Sequence, residues 1–505
     1  MDPDVQTGTY DVLINSGEGK VEETVQAELN LPEYLPDIQR IVRSAAVPQI
    51  DSCRAVGDRV TVDGSCLLQL LYVADDGQMY GYSQTVSFVR HCENEAFADA
   101  ADLSATADVL TVTCRATGTK RAELKAGVLV TVAARSVRGE SYVLPDPDNG
   151  IEERCQSLSA LSLGCCGTRR FAMSDTVTLP SPAAFVVSCT ASAVCRDVSK
   201  ISNKVMIKGE ACIDLAYVPA DDRSSVCRFR HTLPVSQILE FDGMRETFTG
   251  CVYLRVTGAD ASLRGDGAYE AADLALGVEA TAVMYEQREL TVVTDAYCLR
   301  SSLTVQRRPL PFLRLLETVN DTCLYRETVP AGTEGVSEVL DVTARAGVAA
   351  TEAAGGKLTV RGPLQLSLLV KDAKGSPVPV EKTVDYCWEG KTAATCDKTA
   401  SDVRACVRSV QAAAVGSGEI EVRAEIALTG MVLEARTVDT VTSVVRGDTP
   451  LPVGKNAITV YFPDGEESLW DVACRYHTTV RAVAEENGLE GETTAGKAVL
   501  FIPAV

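Results

Sequence analysis

The sequence contains one strand pattern three times, and each copy is centred on a glycine: Gly64, Gly209 and Gly362. The copies read RVTVDGSCLLQLLYVADDG at 59–77, KVMIKGEACIDLAYVPADD at 204–222 and KLTVRGPLQLSLLVKDAKG at 357–375. They recur at intervals of about 150 residues, which is the length of one domain. We therefore predict that one domain has been triplicated.

Other markers keep the same order around each glycine. An apolar-proline pair lies upstream, at Leu31-Pro32, Leu179-Pro180 and Val329-Pro330, and a late alternating strand lies downstream, at 127–132, 274–280 and 420–428. Period-two alternation and many β-branched residues favour antiparallel strands over most of the chain. The predicted fold is therefore mainly β: three tandem sandwich-like domains followed by a small β-α-α-β module.

The repeats and the breaks between them predict the domain boundaries. We expect β-rich domains at 1–146, 151–300 and 301–446 and the small module at 457–505. The predicted linkers are PDPDNG at 145–150, RRPLP at 307–311 and RGDTPLPVGKN at 446–456. In the first domain, Asp76-Gly77 predicts a hairpin turn.

One helix is predicted within the first domain, in LPEYLPDIQRIVRSAAV at 31–47. Pro36 suits a first helical position, Asp37 favours the helix dipole, and Ile38, Ile41 and Val42 would form one apolar face. The other two domains keep the proline and lack this pattern. Either this helix has a surface role of its own, or the other copies have drifted.

Charge and cysteine usage narrow the classes of function. The chain has 48 basic and 69 acidic residues and a net charge of -21, which argues against binding to nucleic acid or to anionic lipid. The first residues lack a signal peptide and no stretch is apolar enough to span a membrane, so we expect a cytosolic protein without membrane insertion. The 18 cysteines are scattered through the strands, as expected of buried thiols. A redox role for Cys165-Cys166 is the alternative.

The sequence offers little that points to catalysis. CxxC spacing, a P-loop and a G-x-S-x-G elbow are all absent from the printed sequence. We therefore expect a protein that is not an enzyme and that needs no cofactor and no metal. Acidic pairs at Asp75-Asp76 and Asp221-Asp222 fall at the same repeat position. Solvated turns explain these pairs better than a metal site does.

The last residues change from period two to the period of a helix. A strand (AITVYF) is followed by a turn, helices in LWDVACRY and TTVRAVAEEN, and a last strand in AVLFIP. Leu469, Val472, Ala473 and Tyr476 share one helix face. Thr478 or Thr479 can cap the second helix, and Asn487-Gly488 is expected to end it with a left-handed turn.

This tail resembles a LysM domain, on the strings ITVYFPDGEESLWDVACRYHTTVRAVAEENGL and KAVLFIP. It departs from that family in the first loop, which is one residue longer and carries two acids. The resemblance implies a binding groove between the two loops that flank the helices. The residues expected to contact a partner or ligand there are Gly465, Glu466, Glu467, Ser468, Leu469, Asn487, Gly488 and Leu489.

The repeats resemble the SPOCS domain of spore-coat proteins in spore-forming Firmicutes, on LPEYLPDIQRIV and on the strand that ends in LLYVADDG. Three such domains and a LysM tail are similar to a family of clostridial coat-morphogenesis proteins. That resemblance implies a non-enzymatic adaptor in the mother cell that anchors the coat's basement-layer ATPase at the forespore surface. The alternative is a binder of peptidoglycan or other N-acetylglucosamine glycans in the spore cortex or cell wall. Self-association through exposed edge strands is a further expectation.

Overall fold

The computed structural model describes residues 6–504, except 147–149, 266–268, 333–334, 393–398, 417, 452–456 and 495. The described residues lie mostly in antiparallel strands, and two short helices occur near the carboxyl end. The predicted mainly-β fold with a small β-α-α-β tail is therefore confirmed.

The first unit consists of six strands in two sheets. The strands are β1 (Thr7–Asn30), β2 (Arg40–Val56), β3 (Arg59–Val73), β4 (Met79–Glu93), β5 (Asp102–Gly118) and β6 (Arg121–Val143). The sheets have the orders β1-β6-β5 and β2-β3-β4, and their inner faces enclose one apolar core. A 3-10 turn at Glu95–Phe97 buries Phe97 in that core. The unit is thus a β-sandwich.

The second unit repeats this pairing with one strand fewer. Its strands are β7 (Ile151–Ile201), β8 (Lys204–Pro219), β9 (Cys227–Glu240), β10 (Thr249–Arg264) and β11 (Tyr269–Cys298). The long β7 pairs with β11 through its first part, as β1 pairs with β6, and with β8 through its second part, as β2 pairs with β3. The single strand β7 therefore combines the equivalents of β1 and β2, which are separate strands in the first unit.

The third unit divides the same pattern differently. Its strands are β12 (Ser301–Pro330), β13 (Val336–Ala346), β14 (Ala350–Ala354), β15 (Lys357–Asp372), β16 (Pro377–Lys391), β17 (Thr399–Val415) and β18 (Glu419–Pro450). The orders are β12-β18-β17 and β13-β15-β14, with β16 on the free side of β15. All strand pairings among the described residues lie within one unit or within the tail. We propose that the three units are the domains at 1–146, 151–300 and 301–446.

The linkers expected from sequence meet different outcomes. The segment 307–311 is not a linker, because it lies inside β12. Proline is tolerated there because β12 is an edge strand, so Pro309 and Pro311 need not donate to a second neighbour. Residues 147–149 and 452–456 of the other two predicted linkers lie outside the described residues.

The predicted helix at 31–47 is wrong. Residues 31–39 form turns and the rest of the segment belongs to β2. The turn is fixed by tertiary contacts, since Tyr72 donates a hydrogen bond to the Pro36 carbonyl (2.9 Å) and the Ile38 amide donates to Thr119 (2.7 Å). The β-branched residues Ile41 and Val42 then continue as a strand against β3.

The repeated glycines have one structural cause. Each lies where a carbonyl of the facing strand approaches closely, at a register shift or at the break between β13 and β14. A Cβ at Gly64 would lie 2.6 Å from the Gln49 carbonyl oxygen, at Gly209 2.3 Å from that of Val194, and at Gly362 2.9 Å from that of Val348. The glycine pattern therefore marks a shared bulge site.

The three units pack as a closed ring, in which β2 or its equivalent in one unit contacts β4 or its equivalent in another. Phe185 of β7 lies against Gly81 of β4, where a Cβ would be 2.3 Å from its ring. Arg228 of β9 donates to the Val342 carbonyl of β13 (3.1 Å). Arg40 of β2 donates to the Pro377 carbonyl of β16 (3.3 Å), which closes the circle. We call this assembly of the three units the ring.

Each unit also has a register shift that is distinct from the site of its repeated glycine, and these three shifts meet at the centre of the ring. The residue that follows the shift is Arg43 in β2, Ser188 in β7 and Asp341 in β13, and each pairs with an equivalent position of the neighbouring strand. Arg43 Nη1 lies 3.2 Å from Asp341 Oδ2, and Ser188 Oγ donates to the same oxygen at 3.0 Å. Arg43 also donates to the Val187 carbonyl (2.9 Å). Apolar side chains of all three units surround this group, among them Val42, Val187 and Leu340.

The tail forms the predicted β-α-α-β unit. Its elements are β19 (Ile458–Tyr461), α1 (Leu469–Tyr476), α2 (Val480–Asn487) and β20 (Leu500–Pro503). The predicted helix face is confirmed, because Leu469, Val472 and Ala473 are buried. Thr479 caps α2, and Gly488 ends it in the left-handed conformation at φ +58°.

Candidate partner-binding site in the tail

The loop before α1 is built around Glu467. Its carboxylate accepts hydrogen bonds from the Tyr461 hydroxyl (2.8 Å) and from the Asp464 amide (3.0 Å), and Arg475 lies 3.5 Å away. These contacts, the tyrosine hydroxyl first, hold the pKa of Glu467 below its usual value. The carboxylate therefore holds the loop before α1 against Tyr461 and Arg475.

The other groove residues of this loop differ in exposure. Gly465 has φ +83° and is exposed, and Glu466 accepts a hydrogen bond from Thr493 (2.8 Å). Ser468 caps α1 by accepting from the Trp470 amide (3.2 Å). Leu469 is buried in the tail core and donates its amide to Glu492 (2.8 Å).

The remaining groove residues lie at the end of α2, and the first of them, Asn487, has a structural role. Asn487 is buried, donates to the carbonyls of Val483 (2.8 Å) and Phe501 (2.7 Å), and accepts from the Phe501 amide (2.7 Å). It thus joins α2 to β20. Gly488 is exposed, and Leu489 is half-buried with its amide donated to Ala484 (2.9 Å).

We expect Asn487→Ala to destabilise the tail by about 2 kcal/mol, because buried backbone groups of β20 lose their partner. Amide exchange of α2 and β20, followed as the temperature is raised, measures this loss of stability. Asn320→Ala is the matched control, since Asn320 is exposed on β12. Equal stability of the two variants would contradict the role assigned to Asn487.

The eight predicted groove residues lie in two segments: 465–469 is the loop before α1 with the first residue of that helix, and 487–489 is the end of α2 with the two residues after it. The bridge between Ser468 and Thr493 and the Glu466–Thr493 hydrogen bond bring the chain that follows α2 alongside the first loop. Leu469 and Asn487 face inward, whereas Gly465, Glu466 and Gly488 face solvent. Contact between this groove and a partner stays a prediction.

The tail has a further surface that the sequence analysis missed. In the two-stranded β19–β20 sheet, Leu500 and Ile502 are buried on the side of the helices, whereas Ile458, Val460 and Phe501 on the opposite face and Phe462 directly after β19 are exposed. The exposed fractions are 46% for Ile458, 51% for Val460, 68% for Phe462 and 46% for Phe501. We call these four side chains the apolar face. Contiguous exposed apolar side chains on a small domain are typical of an interaction site.

The cysteine and acidic candidates show no sign of chemistry. Burial raises the pKa of both vicinal thiols, Cys165 and Cys166, to about 11, so neither is a thiolate at neutral pH. Asp76 and Asp222 cap turns by accepting backbone amides at 2.9 and 3.0 Å. Within the described ranges, no group of three or more His, Cys, Asp or Glu side chains is placed to hold a metal ion.

The fold defines a class: a ring of three β-sandwich units that carries a small helical tail. Residues 37–117 and 183–264 match the family model described as SipL, SPOCS domain. They cover β2 to β5 and the equivalent part of the second unit, from the second half of β7 to β10. The SPOCS family is a non-catalytic family of sporulation-related coat proteins.

The match includes neither the third unit nor the tail. No curated protein matches the chain. Among the described residues, no helix is long and apolar enough to cross a membrane.

Proposed function

We propose that this protein is a non-enzymatic adaptor of spore coat assembly, made in the mother cell. It anchors the morphogenetic ATPase of the coat's basement layer at the forespore surface, and its tail makes the contact. The single observation that carries the choice of the tail is the apolar face, which four exposed side chains form on the small β19–β20 sheet.

Two surfaces of the tail contribute to the contact. The apolar face supplies the area whose burial drives association, at about 25 cal/mol per Å² removed from water. The exposed Glu466 carboxylate and the exposed backbone at Gly465 and Gly488 supply polar groups to the contact. Leu469 and Asn487 act indirectly, because their burial keeps both loops in place.

We expect Phe462→Ala and Phe501→Ala in the full chain each to weaken binding of the basement-layer ATPase about tenfold or more. Large apolar side chains at the centre of an interface carry most of its binding energy. Calorimetry with the purified ATPase measures the affinity. Leu324→Ala is the matched control, since Leu324 is 76% exposed on β12 of the ring.

Unchanged affinity in both phenylalanine variants would overturn the role of the apolar face. Binding that persists without residues 457–505 would overturn the role of the whole tail. Sedimentation of the full chain with purified peptidoglycan tests the alternative function. Strong co-sedimentation that Glu466→Ala abolishes would favour glycan binding by the groove.

A further inference from the structure

The tail packs against the ring, because its helices contact the end of β11. The indole Nε1 of Trp470 donates a hydrogen bond to Asp295 Oδ2 at 2.9 Å. The ring of Trp470 meets that of Tyr297 edge to face, with centroids 4.8 Å apart. The hydroxyl of Tyr297 donates to the Thr478 carbonyl, in the turn between α1 and α2, at 2.7 Å.

These contacts form a desolvated interface. Trp470 and Tyr297 are 8% and 5% exposed, and Tyr297 belongs to the same apolar cluster as the core of the tail. Asp295 also forms an ion pair with Arg307 of β12, so the carboxylate that accepts from Trp470 is fixed by the third unit. Cys474 lies beside the contact, because it packs partly buried against the apolar cluster that contains Tyr297 and Trp470. Burial and the carboxylate of Asp295 both raise the pKa of its thiol.

We propose that Trp470, Asp295 and Tyr297 are positioning residues that dock the tail on the second unit in one orientation. Trp470 is then an anchor within the chain and not a partner contact. The docking leaves the apolar face and the exposed groove residues free. That this orientation presents a binding surface rests on the proposed function, whereas the docking itself does not.

The contact between the tail and the second unit is expected to be closed most of the time. An edge-to-face aromatic pair and a hydrogen bond to a carboxylate are each favourable when they are buried. The tail is tethered to β18 by a short segment, and a short tether gives an effective concentration of the order of mM. A modest interface is therefore sufficient to hold the tail in place.

The test uses alkylation of Cys474 in the full chain, followed by peptide mass spectrometry. When opening is fast, the rate of labelling follows the population of the undocked tail. We expect Tyr297→Phe, which loses the bond to Thr478, to label Cys474 about fivefold faster than the wild type. Combining it with Trp470→Phe is expected to give about tenfold or more. Asp295 is left intact, because its charge itself affects the thiol.

Three controls make the outcome decisive. Tyr269→Phe changes a tyrosine on the same strand outside the contact and is expected to leave the labelling rate unchanged. Cys406, which lies half-buried beside Ala193 and Val194 of the second unit, reports any loosening of the ring. Amide exchange at α2 and β20 is expected to stay slow, because the tail undocks while folded.

Unchanged labelling of Cys474 in the double variant would overturn the proposal. Loss of protection in α2 and β20 at the same rate as Cys474 labelling would overturn it as well, because unfolding would then explain the result. Affinity for the basement-layer ATPase is measured in parallel, and Tyr297→Phe is expected to change it less than twofold. If the wild-type chain fails to bind the ATPase while Cys474 responds as expected, the proposed function is refuted and the docking stands.

Discussion

Replacement of Arg43 by alanine is expected to destabilise the ring by about 3–5 kcal/mol. The side chain of Asp341 is fully buried, and Arg43 is its cationic partner at 3.2 Å. Without Arg43 a carboxylate from the third unit remains in an apolar cluster with the Ser188 hydroxyl as a partner. Chemical denaturation of the full chain measures the loss.

Two further variants separate the ion pair from the packing around it. The double variant Arg43→Met with Asp341→Leu is expected to recover most of the stability, because it removes both charges and fills the site with apolar side chains. Arg59→Ala is the matched control, since its pair with Glu93 is exposed and contributes at most about 1 kcal/mol. A loss in Arg43→Ala no larger than in Arg59→Ala would contradict the central role of the pair.

We expect Gly209→Ala to cost about 3 kcal/mol, the upper end of the usual range for overpacking. A Cβ at this position would lie 2.3 Å from the Val194 carbonyl oxygen and 3.2 Å from the Cys195 Cα. Both atoms belong to the backbone of a paired strand, so they cannot move aside as a side chain would. The melting temperature of the variant is the measurement.

The other two repeated glycines are expected to follow in order of distance. Gly64→Ala meets a carbonyl at 2.6 Å and Gly362→Ala meets one at 2.9 Å, so the loss of stability is expected to decrease from Gly209 to Gly64 to Gly362. Gly118→Ala is the control, because the nearest atom to its Cβ would be 3.8 Å away. A reversed order would refute the shared bulge as the cause of the glycine pattern.

Sequence patterns predicted the elements well where the local signal and the tertiary structure agree. Alternation identified β3, β8 and β15, and helical periodicity with caps identified α1 at its observed bounds and α2 to within two residues. The helix predicted at 31–47 was wrong, because the apolar spacing of this segment fits a helix and a strand equally. Contacts with Tyr72 and Thr119 decide between the two. The side-chain contacts between the units of the ring correspond to no pattern in the sequence.

The candidate site was predictable only in part. Turn and cap residues located the two loops, and Asn487 and Gly488 end α2 as expected. The alternation of Ile458, Val460 and Phe462 was visible, but the sequence does not tell which side of the two-stranded β19–β20 sheet is covered by helices. The docking contact was out of reach, because Tyr297 and Trp470 are far apart in the chain and neither belongs to a shared motif.

The fusion of three units into one chain permits a chemistry that a symmetric trimer cannot have. In a trimer of identical subunits, the position after the central bulge would carry the same residue three times. Three arginines or three aspartates would repel one another in an apolar setting. A single gene lets these places diverge to Arg43, Ser188 and Asp341, so that a cation, a hydroxyl and an anion meet. The sequence drift between the copies is therefore, at this point, what allows them to fit together.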